Sequence, residues 1–326
     1  MTLTSPAGGG PARTSARRRA AVVPALPPAR VVRGPSRPRL QRALVPWLFL
    51  VPGLAFAAVF KLWPMLQGFR LSVLEVQPFL GDLFVGLDNY RAVLSDPRFV
   101  DALGHTVLLG VGTALGGLVV GTALALLLEG SSPVLAVTRT AVFLPVVTAV
   151  AVVGEIWRII YFPTSTGLLN SVLGWVGIPA QQFLGDPQTA LWWVVVVGVW
   201  TAAPYDMVII LAGLAGIDRS LYEAASVDGA SVWQRLRHIV IPGLRASISV
   251  VLTLAAIRSL RTFTEVYVLT GGGPAGATEV WMTRVYSLGF RSNDLGLASA
   301  ASVLLLVVTL VLTLAVRWAT ARRSAA

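Results

Sequence analysis

The sequence predicts an all-α, polytopic membrane protein with six transmembrane helices and both termini in the cytoplasm. Three observations predict it. The chain is 55% apolar and only 13% charged, with a mean hydropathy of +0.74. Six apolar stretches each approach the ~20 residues that cross a bilayer. Basic residues lie mainly to one side of those stretches. A water-soluble chain of this length is about one quarter charged, so there is too little charge here to cover a soluble body.

The elements follow in order. Residues 1–42 hold nine arginines and no acid among Pro, Gly and Ala. Such a segment cannot bury enough apolar surface to fold alone, which predicts a disordered basic cytoplasmic tail. Its Arg17-Arg18-Arg19 run suits anionic inner-leaflet lipid better than nucleic acid, so membrane lipid is the expected contact. The first span is predicted at 43–65. Ala55-Phe56-Ala57 looks like a signal cleavage site, but the apolar run starts after 42 residues and continues past it, so a retained helix is expected. Further spans are predicted at 103–128, 139–161, 190–213, 246–269 and 296–317. Residues 43–317 then form one transmembrane domain, and 318–326 a short cytoplasmic tail. The large loop 66–102 is expected to carry a surface helix around Asn89–Leu94.

Charge sets the orientation. With the N-terminus inside, the inner segments hold 17 basic residues, and the outer loops hold five: Arg70, Arg91, Arg98, Arg284 and Arg291. Eight of the fifteen acids fall outside and four inside. That asymmetry places both termini in the cytoplasm of a multi-pass cell-membrane protein. Six tryptophans near span ends, Trp47, Trp63, Trp157, Trp175, Trp281 and Trp318, fit interfacial belts. Trp192 and Trp200 are weaker candidates for stacking on a sugar. The glycines at 110, 112, 116, 117 and 121 predict close helix packing of the second span.

Composition also excludes chemistry. Zero cysteines remove disulfides, thiolate nucleophiles and iron–sulfur clusters. His105 and His238 stand far apart, which argues against a histidine metal site. No paired carboxylates, metal ligands or nucleophile with a base stand out, so no catalytic residue, metal or cofactor is expected. No loop is long enough for an energising domain, which must come from another chain.

The strongest local signal is the inner loop 217–242. Ser220 with Glu223 forms a Ser-x-x-Glu capping box, and Ser231 with Gln234 forms a second box. Gly229 between them ends a helix in the left-handed conformation. Pro242 marks the turn back to the membrane. Ala224, Ala225 and Ala230 keep the corner small, open to close approach by another protein.

Glu223-Ala224-Ala225, three residues, Gly229, nine residues, Ile239, one residue, then Ile241-Pro242 resembles the EAA motif of permease subunits in binding-protein-dependent ABC importers. Ile241 replaces the family's usual leucine. Val85-Gly86-Leu87-Asp88-Asn89-Tyr90 with Asp96-Pro97, Leu211-Ala212-Gly213-Leu214 and Leu269-Thr270-Gly271-Gly272-Gly273-Pro274 resemble the carbohydrate-uptake branch. Asp218 departs from it, standing where that branch has proline. The likeness spans roughly 43–317. It implies that Glu223, Ala224, Ala225, Asp228, Gly229, Ala230, Ile239 and Pro242 dock onto a cytoplasmic ATPase dimer. It also implies a second homologous permease, commonly a different chain, and an extracytoplasmic solute-binding protein. ATP hydrolysis then belongs to the partners, and this subunit is not an enzyme.

Charges inside spans are costly and face a cavity or a partner. Arg258, Arg261 and Glu265 share one predicted helical face, with Arg258 about 18 Å into its span at ~1.5 Å per residue. Glu155 and Arg158 lie one turn apart, and Asp206 follows Pro204 and Tyr205. The functional reading is a polar path for a hydroxylated solute. The plainer reading pairs Arg261 with Glu265 and Glu155 with Arg158 as structural glue. Arg258, lacking an obvious local partner, is the best path candidate. The two arginines also leave a phosphorylated solute open. The rival class is an ion-gradient-driven secondary transporter using Glu155, Asp206 or Glu265. It would normally show internal repeats and more helices. The glycine run 271–273 lacks the Lys-Ser/Thr of a phosphate loop, so it is expected to be a flexible gate or a docking surface for the binding protein.

Overall fold

A computed structural model describes residues 39–77 and 81–324, with side chains at 47–77 and 81–315. The Arg17–Arg19 run and nearly all of the tail expected at 1–42 lie outside the described residues. The chain divides into two units, Met1–Phe56 and Ala57–Ala326.

Helix α1 (Arg39–Ala57), in the first unit but for its last residue, begins before the expected start at residue 43. The second opens with a π-helical turn (Ala58–Leu62) and α2 (Trp63–Leu71). A two-residue hairpin follows, β1 (Leu74–Glu75) antiparallel to β2 (Leu83–Phe84), with Leu74 opposite Phe84. The expected surface helix is α3 (Asp88–Ser95). Asn89 fixes it by donating to the carbonyls of Ser72 and Leu74 at 3.1 and 2.9 Å. Asp96 then caps α4 (Pro97–Leu127) by accepting from the Arg98 amide at 3.0 Å, and Pro97 takes the first helical position, where no amide is missed.

The third span departs from expectation. The predicted 139–161 rod is instead α5 (Pro133–Val147) and α6 (Val150–Ile160), bent by 100°. Pro145 deletes one helical hydrogen bond and Thr148 turns extended, so the ladder stops there. After α7 (Leu168–Trp175), α8 (Ala190–Leu214) runs unbroken despite Pro204.

The fifth span also breaks. A loop of α9 (Arg219–Val227), α10 (Val232–Arg235), a π-turn (Leu236–Val240) and α11 (Ile241–Gly243) leads to α12 (Arg245–Ser259). The 64° bend falls between Gly243 and Arg245, just past Pro242. Helix α12 ends at Ser259, and α13 (Thr264–Leu269) starts after a gap of four residues, 260–263. The expected shared face of Arg258, Arg261 and Glu265 therefore does not exist. Helix α14 (Trp281–Tyr286) and α15 (Leu295–Ser324) complete the chain, so the predicted tail at 318–326 is largely helical.

Among the described residues, four stretches are long and apolar enough to cross a membrane: Trp47–Leu71, Pro97–Leu127, Ala190–Leu214 and Leu295–Ala315. The two bent pairs raise the number to six if each is one span. This is an all-α polytopic membrane protein.

The core is built on α4 against α8. A Cβ on Gly121 would stand 2.8 Å from the Ala203 carbonyl oxygen and 3.0 Å from the Met207 nitrogen. Gly117 would meet Asp206 Oδ2 at 2.8 Å. The glycine stripe thus lets two spans touch backbone to backbone, as the sequence predicts. Gly121→Val is expected to force those helices apart and sharply lower the yield of folded protein, measured by size-exclusion recovery in detergent. Of the expected belt tryptophans, Trp281 is instead buried, and its indole donates to Ala301 O at 3.0 Å.

Candidate functional site

Two places concentrate polar function: the loop between α8 and α12, and a cavity within the spans.

In the loop, the first helix is capped by Asp218 rather than by Ser220. Asp218 Oδ1 accepts from the Ser220 amide at 2.9 Å, and Glu223 does not close a capping box. Aspartate is among the best N-caps, so the residue that departs from the family pattern takes over the start of the helix. The Ser220 bonds, the backbone N–H foremost, hold the Asp218 carboxyl below the usual carboxylate range. A depressed folded pKa means the cap stabilises at pH above the ordinary carboxylate value and is lost as pH falls through the lowered one. A spin label at Leu221 should therefore gain mobility on acidification, and Asp218→Asn should flatten that response.

The corner closes as a Schellman motif. Gly229 sits at φ +71°, Ala230 N–H donates to Ala225 O at 2.9 Å, and Gly229 N–H donates to Ser226 O at 3.2 Å. The second predicted box is present: Ser231 N–H donates to Gln234 Oε1 at 2.7 Å, and Gln234 N–H donates to Ser231 Oγ at 3.3 Å. Ser231→Ala should cost about 1 kcal/mol of local stability, seen as faster hydrogen exchange at Val232–Gln234.

Below the corner, Tyr222, Ile217 and Leu236 pack against the core that holds Leu128, Leu214 and Leu244. Arg139 ties the α4–α5 connection by donating to Leu128 O at 2.8 Å. The outer face of the loop is different. Leu221, Val227, Val232 and Trp233 are exposed, Val227 at 88%. Glu223, Ala224, Asp228 and Gly229 are exposed beside them, while Ala225, Ala230, Ile239 and Pro242 are half-buried. Any Cβ at Gly229 would meet nothing within 4 Å. This corner is open.

Within the spans, a cavity of about 230 Å³ lies between α4, the α5–α6 bend, α8 and α12. Thr148 and Val150 of the bend, and Thr262 of the α12–α13 break, line it. Irregular backbone at membrane depth is tolerated where it faces such a space. Asp206 and Arg258, two of the predicted path residues, meet here: Arg258 Nη2 lies 3.3 Å from Asp206 Oδ1. Arg258 does have a partner, one contributed by α8 and invisible to spacing along its own helix. Its guanidinium also lies 4.8 Å from the Tyr205 ring centre. Asp206 is fully buried, with Oδ2 unbonded.

Glu265 lines the same cavity. The expected Arg261–Glu265 ion pair is absent among the described residues, because the break at 260–263 separates them. Arg261 is exposed and does not line the cavity. Glu155 pairs with Arg158 at 2.9 Å, as the plainer reading had it, and lines a separate cavity of about 550 Å³ with Tyr161, Gln182 and Thr270. The hydroxyls of Thr113, Thr201, Ser259 and Thr262 and the Tyr205 ring were not picked out from sequence, because residues of these types within spans are common. Trp200 is occupied edge-on by Trp157, ring centres 5.5 Å apart.

The glycine turn after α13 is pinned rather than loose. Thr278 Oγ1 donates to Gly273 O at 2.6 Å, and Gly272 N–H donates to Thr270 Oγ1 at 3.2 Å. It borders a cavity of about 660 Å³ with Arg98, Asp101 and His105.

Apolar crossings, two broken spans around a polar cavity and an open helical corner define a membrane transport subunit. The chain belongs to the family described as the binding-protein-dependent transport system inner membrane component, which residues 106–324 match. It is 35% identical over 282 residues to the probable ABC transporter permease protein YurN of Bacillus subtilis (strain 168), covering 84% of this chain and 95% of that one. It is 34% identical over 280 residues to the trehalose/maltose transport system permease protein MalF of Thermococcus litoralis, covering 86% and 94%. Its fold matches a bacterial ABC transporter involved in import of the acidic polysaccharide alginate (TM-score 0.75, 26% identity, 87% of this chain and 97% of that one). The same kind of match holds to an alginate transporter in complex with an alginate pentasaccharide-bound periplasmic protein (TM-score 0.72, 25% identity, 85% and 94%). This chain is a multi-pass inner-membrane permease subunit of an ABC importer, not a secondary transporter. Hydrolysis of ATP belongs to partner ATPases.

Proposed function

We propose that this chain forms the translocation path for a sugar or oligosaccharide and is driven by a separate ATPase dimer gripping loop 217–242 from the cytosol. The observation that carries the coupling role is the open Gly229 corner with its exposed Val227, Val232 and Trp233. Small and apolar side chains at a rigid, doubly capped corner suit insertion into another protein's groove. Glu223, Ala224, Ala225, Asp228, Ala230, Ile239 and Pro242 surround or support it.

The solute class is supported by relatives named for trehalose/maltose and alginate. The hydroxyl-lined cavity at Asp206 and Arg258 supports it too, since guanidinium and hydroxyl groups both engage vicinal diols. The binding protein delivers solute from outside, a second homologous permease completes the path as a heterodimer, and both termini face the cytosol. Arg261 and Glu155, outside this cavity, are left to the entrance or to structure.

Proteoliposomes holding the complete importer test this reading. Uptake should require ATP and the binding protein together. A cysteine at Val227 should cross-link to the ATPase. Transport with no such contact would remove the docking role.

A further inference from the structure

Two carboxyl groups and one guanidinium line the cavity within the spans: Asp206, Glu265 and Arg258. Asp206 is 0% exposed and lies under Gly117 and Gly121, so a solute cannot touch it. It does lie against Arg258, whose side chain is 46% exposed. Of the guanidinium's five N–H donors, one is directed at Asp206. The rest keep their capacity to donate to hydroxyls, while an ionised Asp206 balances the positive charge. Glu265 has no ion-pair partner among the described residues. Arg261 does not line the cavity, and Arg158 is held by Glu155 in another one.

We propose that the cavity selects by charge: it admits neutral polyhydroxylated or cationic solutes and turns away anions. Asp206 serves as the positioning residue that neutralises Arg258, and Glu265 as the specificity-determining charge. This rests on the cavity being part of the path, and it sets this chain's solute, neutral or cationic, apart from the acidic alginate of its structural neighbour. A charge within a low-dielectric span is poorly screened by salt, so one uncompensated carboxylate decides the sign.

The absence of cysteine from the chain makes the test direct. Thr262→Cys puts the single thiol of this chain on the cavity wall, and labelling in the complete importer is read on this subunit alone. Its labelling rates with a trimethylammonium and a sulfonate methanethiosulfonate reagent are compared, each normalised to free cysteine. The cationic reagent should win. Asp206→Asn and Glu265→Gln should each speed the anionic reagent on the order of tenfold, and Arg258→Gln should slow it further. Opposite signs at the two partners of one ion pair cannot come from general loosening. An anionic reagent that wins in the parent, or rates unmoved by Asp206→Asn and Glu265→Gln, overturns the proposal. Charge-ordered labelling combined with uptake unaltered by Arg258→Ala would instead remove the path reading and leave the cavity's charge ordering intact.

Discussion

Gly229→Val is expected to abolish solute uptake and co-purification of the ATPase while membrane insertion and yield stay normal. The glycine sits at φ +71°, where a β-branched residue is strained by about 1–3 kcal/mol. A Cβ there would meet open space, so packing is not what the substitution disturbs. What changes is direction. The Schellman bonds from Ala230 and Gly229 orient α10 against α9, and a shifted φ re-aims the helix carrying Val232 and Trp233. The proposed fit of the corner to an ATPase groove should then be lost while the core beneath it survives. Gly229→Asn, which tolerates the left-handed region, should retain most uptake. Normal ATPase co-purification with the valine variant would count against the docking role.

Arg258→Ala is expected to damage both stability and transport, and the two effects can be separated. Removing one partner of a buried ion pair costs about 3–5 kcal/mol, because the other charge is left uncompensated. Here the stranded group is the fully buried Asp206. Half the pair is exposed to the cavity, so the lower end of that range is the better figure. The double variant Asp206→Asn with Arg258→Gln should restore most of the thermal midpoint of the detergent-solubilised importer, since two amides can hydrogen-bond without charge. It should not restore uptake if the guanidinium donates to solute hydroxyls. Recovery of both together would assign the pair to structure alone.

Much of this fold is legible in the chain. The α4 glycines announce close helix packing because only hydrogen lets two backbones meet, and Gly121 against Ala203 O is that contact. The Ser231 and Gln234 spacing states a local bond that tertiary structure has no reason to overrule. Ser220 misled for a local reason: Asp218, two residues earlier, is the stronger cap and its helix starts first. The third and fifth spans misled for another. Hydropathy measures how apolar a run is and ignores whether its backbone is continuous, so Thr148-Ala149 and 260–263 read as ordinary helix. The same blindness created a false shared face for Arg258, Arg261 and Glu265. The true partner of Arg258 lies 52 residues away on α8, a distance at which helical periodicity is silent.

The 100° turn between α5 and α6 limits how force travels through this subunit. A straight rod pushed at one end moves at the other by the same amount, whereas an elbow swings. Were a displacement to reach the Leu128–Arg139 tie, the elbow at Thr148 would turn it into rotation of the short α6 arm, whose Val150 and Val153 line the cavity. On the proposed path, such leverage would reshape the cavity with only a small stroke at the membrane face.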